Sequence, residues 1–202
     1  MPLIQLFAKA PVEGKVKTRL IPDLGVAKAT QVYRYCLQYT LDLVRQSGYR
    51  YQIWLTEKTR DLIFNAEPYH LQQGTNLGSR MWQAIDSQLR EGKHIQSEIL
   101  LIGSDCLDLT CFHFQQAISA LSTHDIVLTP AHDGGFALIG CRVIDAQLFN
   151  RVKWGSNEVF IQTVNNAQSL GYQISILESV RDIDTLEDLS HYPELLSLID
   201  QS

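Results

Sequence analysis

The chain has 202 residues, 45% of them hydrophobic and 19% charged, with a formal net charge of −5. That length is enough to bury a sizeable core without disulfide or metal staples, and one domain over 1–202 is the simplest expectation. The acidic balance argues against a surface that coats nucleic acid, and no apolar run approaches the roughly 18–20 residues of a membrane span.

The first predicted strand is Leu3 to Ala8, which reaches Lys9 without the layout of a signal peptide, so a cytoplasmic protein is expected. The next segment, Lys9-Ala-Pro-Val-Glu-Gly-Lys-Val-Lys-Thr-Arg19, interleaves cations with turn-forming Pro and Gly. Backbone N–H groups in such a loop attract anions, and Lys and Arg add charge, so Lys9, Gly14, Lys15, Lys17 and Arg19 are candidate nucleotide-phosphate contacts. A merely solvated basic loop is the alternative. The segment is not a P-loop, because Lys9 and Val16 stand where that pattern needs Gly and Ser or Thr, and the chain has no GxGxxG fingerprint.

A helix is expected from about Val26 to Gln46, then a strand from Tyr51 to Thr56. Gln73-Gly-Thr-Asn-Leu-Gly78 leads into the clearest helix, Leu77 to Leu89, whose apolar Leu77, Met81, Trp82, Ile85 and Leu89 recur at three- and four-residue spacing. Gly74 and Asn76 in that approach suit nucleobase recognition, and ordinary helix capping by Thr75 or Asn76 explains the segment equally well.

The strand Glu98 to Gly103 ends abruptly in Ser104-Asp105-Cys106-Leu107-Asp108. Open α/β sheets bind ligands beyond the carboxyl ends of their strands, so Asp105 is placed for a metal or a phosphate. A helix Phe112 to Leu121 and a strand Asp125 to Pro130 follow, and Gly134 to Gly140 is predicted to pair with that strand, which makes the sheet mixed if the pairing is antiparallel.

Asp133, Gly134 and Gly135 place a carboxylate beside backbone that a sugar or acceptor could approach; a plain hairpin turn explains the glycines equally well. Trp154-Gly-Ser-Asn157 precedes a helix Glu158 to Leu170 as a substrate-facing turn or another cap. After a strand Tyr172 to Leu177, Asp182-Ile-Asp-Thr185 leads into a helix Leu186 to Ile199, with Asp184 a second candidate metal ligand unless it serves as the cap; Thr185 with Asp188 is the other capping choice. Cys36, Cys106, Cys111 and Cys141 have neither CxxC nor zinc-ribbon spacing and are read as reduced residues. The alternation of strands and helices predicts an α/β protein with a mainly parallel sheet flanked by helices.

Lys9-Ala-Pro-Val-Glu-Gly-Lys-Val-Lys-Thr-Arg-Leu20, Gly103-Ser-Asp-Cys106, Asp133-Gly-Gly-Phe-Ala-Leu-Ile-Gly140 and Asp182-Ile-Asp-Thr185 together resemble a family of small bacterial nucleotide-diphospho-sugar transferase-like proteins, labelled as glycosyltransferases of arsenosugar biosynthesis or left without an activity. The resemblance implies a Rossmann-like glycosyltransferase A-type fold, related to the molybdenum-cofactor and phospholactate guanylyltransferases. It implies Lys17 and Arg19 on phosphates, Asp105 and Asp184 on Mg²⁺ or Mn²⁺, and Asp133 with Gly134 facing the sugar or acceptor. This chain departs from the family at Asn76, Leu107 and Gly155-Ser156, where Asp, Pro and Ser-Thr are usual.

The expected activity is therefore metal-dependent transfer from a nucleotide sugar to a small acceptor, with Asp133 as base and Trp154 near the substrate. Nucleotidyl transfer from a nucleoside triphosphate is the alternative, favoured by the charge of Lys15, Lys17 and Arg19. A binder without turnover is a third, suggested by Asn76 and the Trp154 turn.

Overall fold

A computed structural model describes residues 2–64, 67–91 and 98–200. Among these described residues seven strands form one sheet: β1 (Leu3–Ala8), β2 (Arg50–Leu55), β3 (Tyr69–Leu71), β4 (Ile99–Ile102), β5 (Ile126–Pro130), β6 (Phe136–Cys141) and β7 (Ile174–Ile176), in the order β3-β2-β1-β4-β6-β5-β7. β6 runs antiparallel to β4 and β5, and the other pairings are parallel. The expected mixed sheet is thus present, and the strand after Asp133 pairs antiparallel with its predecessor.

The helices are α1 (Ile21–Gln46), α2 (Leu77–Glu91), α3 (Cys111–Leu121), α4 (Val159–Ser169), α5 (Leu186–Ser190) and α6 (Pro193–Asp200). Strand alternation decides which face each residue serves. From β1, Ile4, Leu6 and Ala8 join Tyr33, Leu37 and Leu41 of α1 and Phe114, Ala117 and Leu121 of α3. Leu3 and Phe7 pack on the opposite face with Met81, Ala84 and Ile85 of α2 and Val164 and Ala167 of α4. A third cluster, including Leu20, Ala29, Val32, Ile183, Leu189 and Leu195, fastens the carboxyl-terminal helices to α1.

Three details differ from the sequence expectation. α1 begins five residues earlier than Val26 and is kinked at Gly25, whose φ of 80° is non-helical. The helix expected over Leu186 to Ile199 is two helices, because Pro193 cannot donate into a continuing helix and instead opens α6. β3, three residues long, has no counterpart among the expected strands, and among the described residues it pairs with β2 alone. Among the described residues no helix is long and apolar enough to cross a membrane.

Candidate active site

Strands β1, β2, β3, β4, β5 and β7 all point the same way, so the segments that follow their carboxyl ends share one rim of the sheet. A cleft of about 560 Å³ opens there. Phe7, Met81 and Leu101 give it an apolar floor, and Lys9, Lys17, Asp105, Asp133, Asp182 and Asp184 line it with charge.

The loop after β1 turns inward at Lys17, which holds φ at 45°, the left-handed region that a non-glycine residue seldom adopts. Its side chain is only 3% exposed, and its ammonium donates to Asp105 Oδ2 at 3.0 Å and Asp184 Oδ1 at 3.4 Å. Burial alone would push this ammonium down, but the two carboxylates outweigh it and hold the pKa above the ordinary lysine value. Arg19 donates to Asp184 Oδ2 at 3.0 Å, and Lys15 pairs with Glu57 at 3.4 Å away from the cleft. Three of the cations expected on phosphates are therefore already matched to carboxylates. Gly14 supplies a positive-φ turn in the same loop and does not line the cleft.

Asp105 follows β4 as expected. A Cβ at Gly103 would lie 3.1 Å from Asp105 Oδ1, so glycine there leaves the carboxylate room to lean back over the strand end. The Asp105 carbonyl accepts from Ile183 N–H at 3.0 Å, which ties the late acidic segment beside it. Ser104 Oγ meets the Tyr33 hydroxyl at 3.1 Å, and that hydroxyl accepts from Lys9 N–H at 2.7 Å, so α1 and both loops share one buried polar contact. Asp108 turns away from the cleft to accept from Arg181 N–H and the Tyr192 hydroxyl, at 3.0 and 2.8 Å. The neighbouring Cys106 thiol is pushed up to about 12, chiefly by burial, which keeps it unreactive.

In Asp182-Ile183-Asp184 the middle residue is fully buried in the third core cluster, and both flanking carboxylates line the cleft. Asp133, Asp182 and Asp184 each offer an oxygen within 4.8 Å of the others. Burial first, and then the charges of Asp133 and Asp105, push the Asp182 carboxyl up to about 7. Three converging carboxylates are a hard-oxygen donor set that fits Mg²⁺ or Mn²⁺. Asp184, one of the two expected metal ligands, belongs to this trio, whereas Asp105, the other, lies outside it and is held by Lys17. Asp182 was not singled out from the sequence, although its alternation with a buried isoleucine was the available signal.

Asp133 is the exposed member of the trio, and its Oδ1 accepts from Gly135 N–H at 2.7 Å. Gly134 has φ of 89°, and a Cβ there would lie 2.2 Å from the Asn157 carbonyl oxygen. Its own carbonyl accepts from Phe160 N–H at 2.8 Å, so glycine fixes the Asp133 turn against the start of α4. Gly135 and Trp154 line the cleft, and the Trp154 ring covers Gly78 in the first turn of α2, where a Cβ would come within 2.7 Å of it. Gly74 and Asn76 do not line the cleft. Asn76 Oδ1 accepts from Ser79 N–H at 2.9 Å, the capping arrangement that the sequence also allowed.

The sequence matches a family model described as "Uncharacterized protein conserved in bacteria (DUF2064)" over residues 40–156, and no curated protein matches it. A protein of Desulfovibrio desulfuricans G20, named as a candidate nucleotide-diphospho-sugar transferase, is 30% identical with a TM-score of 0.87, over 99% of this chain and 97% of its own. The 4-diphosphocytidyl-2C-methyl-D-erythritol synthase of Anaerococcus prevotii is 12% identical with a TM-score of 0.56, over 97% and 98%. CMP:2-keto-3-deoxy-manno-octonic acid synthetase, solved with CTP, is 9% identical with a TM-score of 0.53, over 98% of each chain. At those two identities the likeness is one of fold. With more than half its length matched and a 30%-identical relative along nearly all of it, the chain belongs to this bacterial family, which has a nucleotide-diphospho-sugar transferase-like fold.

Proposed function

We propose that the protein is a divalent-cation-dependent transferase that moves a glycosyl group from a nucleotide sugar to a small acceptor. The observation that carries this reading is the convergence of Asp133, Asp182 and Asp184 within 4.8 Å of one another in the lining of the cleft. Magnesium is usually held by one or two carboxylates together with substrate phosphates, and the more enclosed Asp182 and Asp184 fill that part. When bound, Mg²⁺ or Mn²⁺ would supply positive charge against the departing nucleoside diphosphate.

Asp133 is left, by its exposure, to face the acceptor. Its Oδ1 is oriented by the Gly135 N–H, so the second oxygen is positioned to take the hydroxyl proton as the acceptor attacks the sugar. Lys17 holds Asp105 and Asp184 at fixed spacing, and Trp154 closes the acceptor side with an apolar wall. The glutamate and aspartate partners of Lys15, Lys17 and Arg19 remove the surplus charge that would suit a triphosphate, which favours the diphosphate of a sugar donor. Nucleotidyl transfer is the second reading, supported by the fold likeness to nucleotide-joining synthetases.

The deciding experiment is turnover of a panel of nucleotide sugars and nucleoside triphosphates with Mn²⁺ and with EDTA. Asp182→Asn and Asp184→Asn are expected to lower turnover by about 10²–10³-fold in folded protein, the usual scale for losing a preorganised electrostatic group. Undiminished turnover in EDTA, or in Asp182→Asn, would remove the metal site from the mechanism. Turnover of a triphosphate alone would replace the sugar-donor reading by nucleotidyl transfer.

A further inference from the structure

Among the described residues four carboxylates line the cleft, so an anionic donor would be held there better by a fixed cation as well as a mobile one. Lys17 is engaged by Asp105 and Asp184, Arg19 by Asp184, and Lys15 by Glu57. Among the described residues that line the cleft, the two cations with no carboxylate in ion-pairing distance are Lys9 and Arg80. Lys9 is an exposed, flexible chain, whereas Arg80 is half-buried in the first turn of α2 and anchored.

The anchor explains two residues that the cleft itself does not use. Arg80 Nε donates to the Gly74 carbonyl at 3.2 Å. Gly74 holds φ at 133°, and a Cβ there would sit 2.5 Å from Ser79 Oγ and 2.9 Å from Arg80 N, so only glycine lets its carbonyl come over the helix start. Asn76 completes the fit: its side chain accepts from Ser79 N–H, and its carbonyl accepts from Arg80 N–H at 3.1 Å. With Nε fixed, the terminal NH₂ groups of Arg80 have no hydrogen-bond partner among the described residues. A guanidinium held by Nε with its outer fork open suits bidentate capture of a phosphate, and the amino end of α2 adds its own positive potential.

We infer that Arg80 is the phosphate-binding residue of the cleft, taking the diphosphate of the donor nucleotide, and that the Gly74–Asn76 turn positions it. The inference rests on the transferase reading for the identity of the donor, but not for the capture of phosphate itself.

The test uses inorganic pyrophosphate, which has no base to confuse the result, titrated calorimetrically into the full chain with Mg²⁺ present. Arg80→Met is expected to weaken pyrophosphate binding by about tenfold to a hundredfold, as two charge-assisted hydrogen bonds are lost. Arg80→Lys should restore only part, because it returns the charge without the fork. Gly74→Ala, which keeps the arginine and displaces its anchor, should also weaken binding. Mn²⁺ affinity measured alone should be unchanged in all three, which shows that the acidic cluster is intact. Equal pyrophosphate affinity in wild type and Arg80→Met, or no binding to wild type, overturns the inference. Failure of the transferase reading looks different: no nucleotide sugar turns over, while Arg80-dependent pyrophosphate binding persists.

Discussion

Lys17 shows how one buried charge organises an otherwise self-repelling rim. Its ammonium is 3% exposed, whereas the carboxylates it joins, Asp105 and Asp184, are 40% and 30% exposed. Removing one partner of a fully buried pair costs about 3–5 kcal/mol, but solvent reaches both acids here and screens what is left. Lys17→Met is therefore expected to destabilise the fold by about 1–3 kcal/mol in urea unfolding, while Lys17→Arg loses less. A methionine variant as stable as wild type would mean that the pairs are incidental. The basic character of this loop was legible in the sequence, but its destination was not. The partners lie 88 and 167 positions away, and no local pattern says that a lysine expected on phosphate also closes on two aspartates.

At the scale of elements, legibility followed the strength of the local pattern. β1, β4 and β5 are near-continuous apolar runs buried on both faces, and each was readable with boundaries off by a residue or two. β3, only Tyr69-His70-Leu71, offers no such pattern, since its pairing with β2 creates the strand. The split between α5 and α6 was signalled by Pro193 and overridden by the apolar periodicity on either side. The start of α5 resolves the capping choice: Thr185 Oγ1 accepts from Asp188 N–H at 3.3 Å, and Asp188 Oδ2 accepts from Thr185 N–H at 2.9 Å and Asp184 N–H at 3.2 Å. Asp184 keeps its carboxylate for the cleft because its neighbour caps the helix. Thr185→Ala is expected to lower stability by about 1 kcal/mol, the usual scale for losing an N-cap, measured by denaturant midpoint. Because the same box anchors Asp184 N–H, weaker Mn²⁺ binding should accompany it. A variant that loses stability with Mn²⁺ affinity unchanged would separate the cap from the site.

Across the whole molecule, the sheet brings the ends of β1, β4, β5 and β7 to one rim, and the resulting concentration of carboxylates has a consequence for stability. The Asp182 carboxyl is raised to about 7, by burial first and then by Asp133 and Asp105, against about 3.9 expected in the unfolded chain. Between those values the folded protein binds more protons at this group than the unfolded chain does, so its contribution to stability falls as pH rises from about 4 to 7 and levels off above. The full shift would amount to about 4 kcal/mol, and the open cleft reduces this to about 1–3 kcal/mol. At roughly 2–4 °C per kcal/mol for a chain of this size, the thermal midpoint in EDTA should drop by several degrees from pH 5 to pH 7.5 through this group. Other carboxylates titrate over the lower part of that range, so Asp182→Asn is the comparison that isolates it: the asparagine variant should show a shallower fall, and at pH 7.5 should match or exceed wild type. Mn²⁺ at pH 7.5 should raise the wild-type midpoint and leave that of Asp182→Asn nearly unmoved, because a ligand that binds only the native state stabilises it in proportion to its affinity. Identical pH profiles for the two proteins would show that Asp182 ionises as an ordinary carboxylate. The acidic trio would then lack the electrostatic strain on which the proposed divalent-cation site depends.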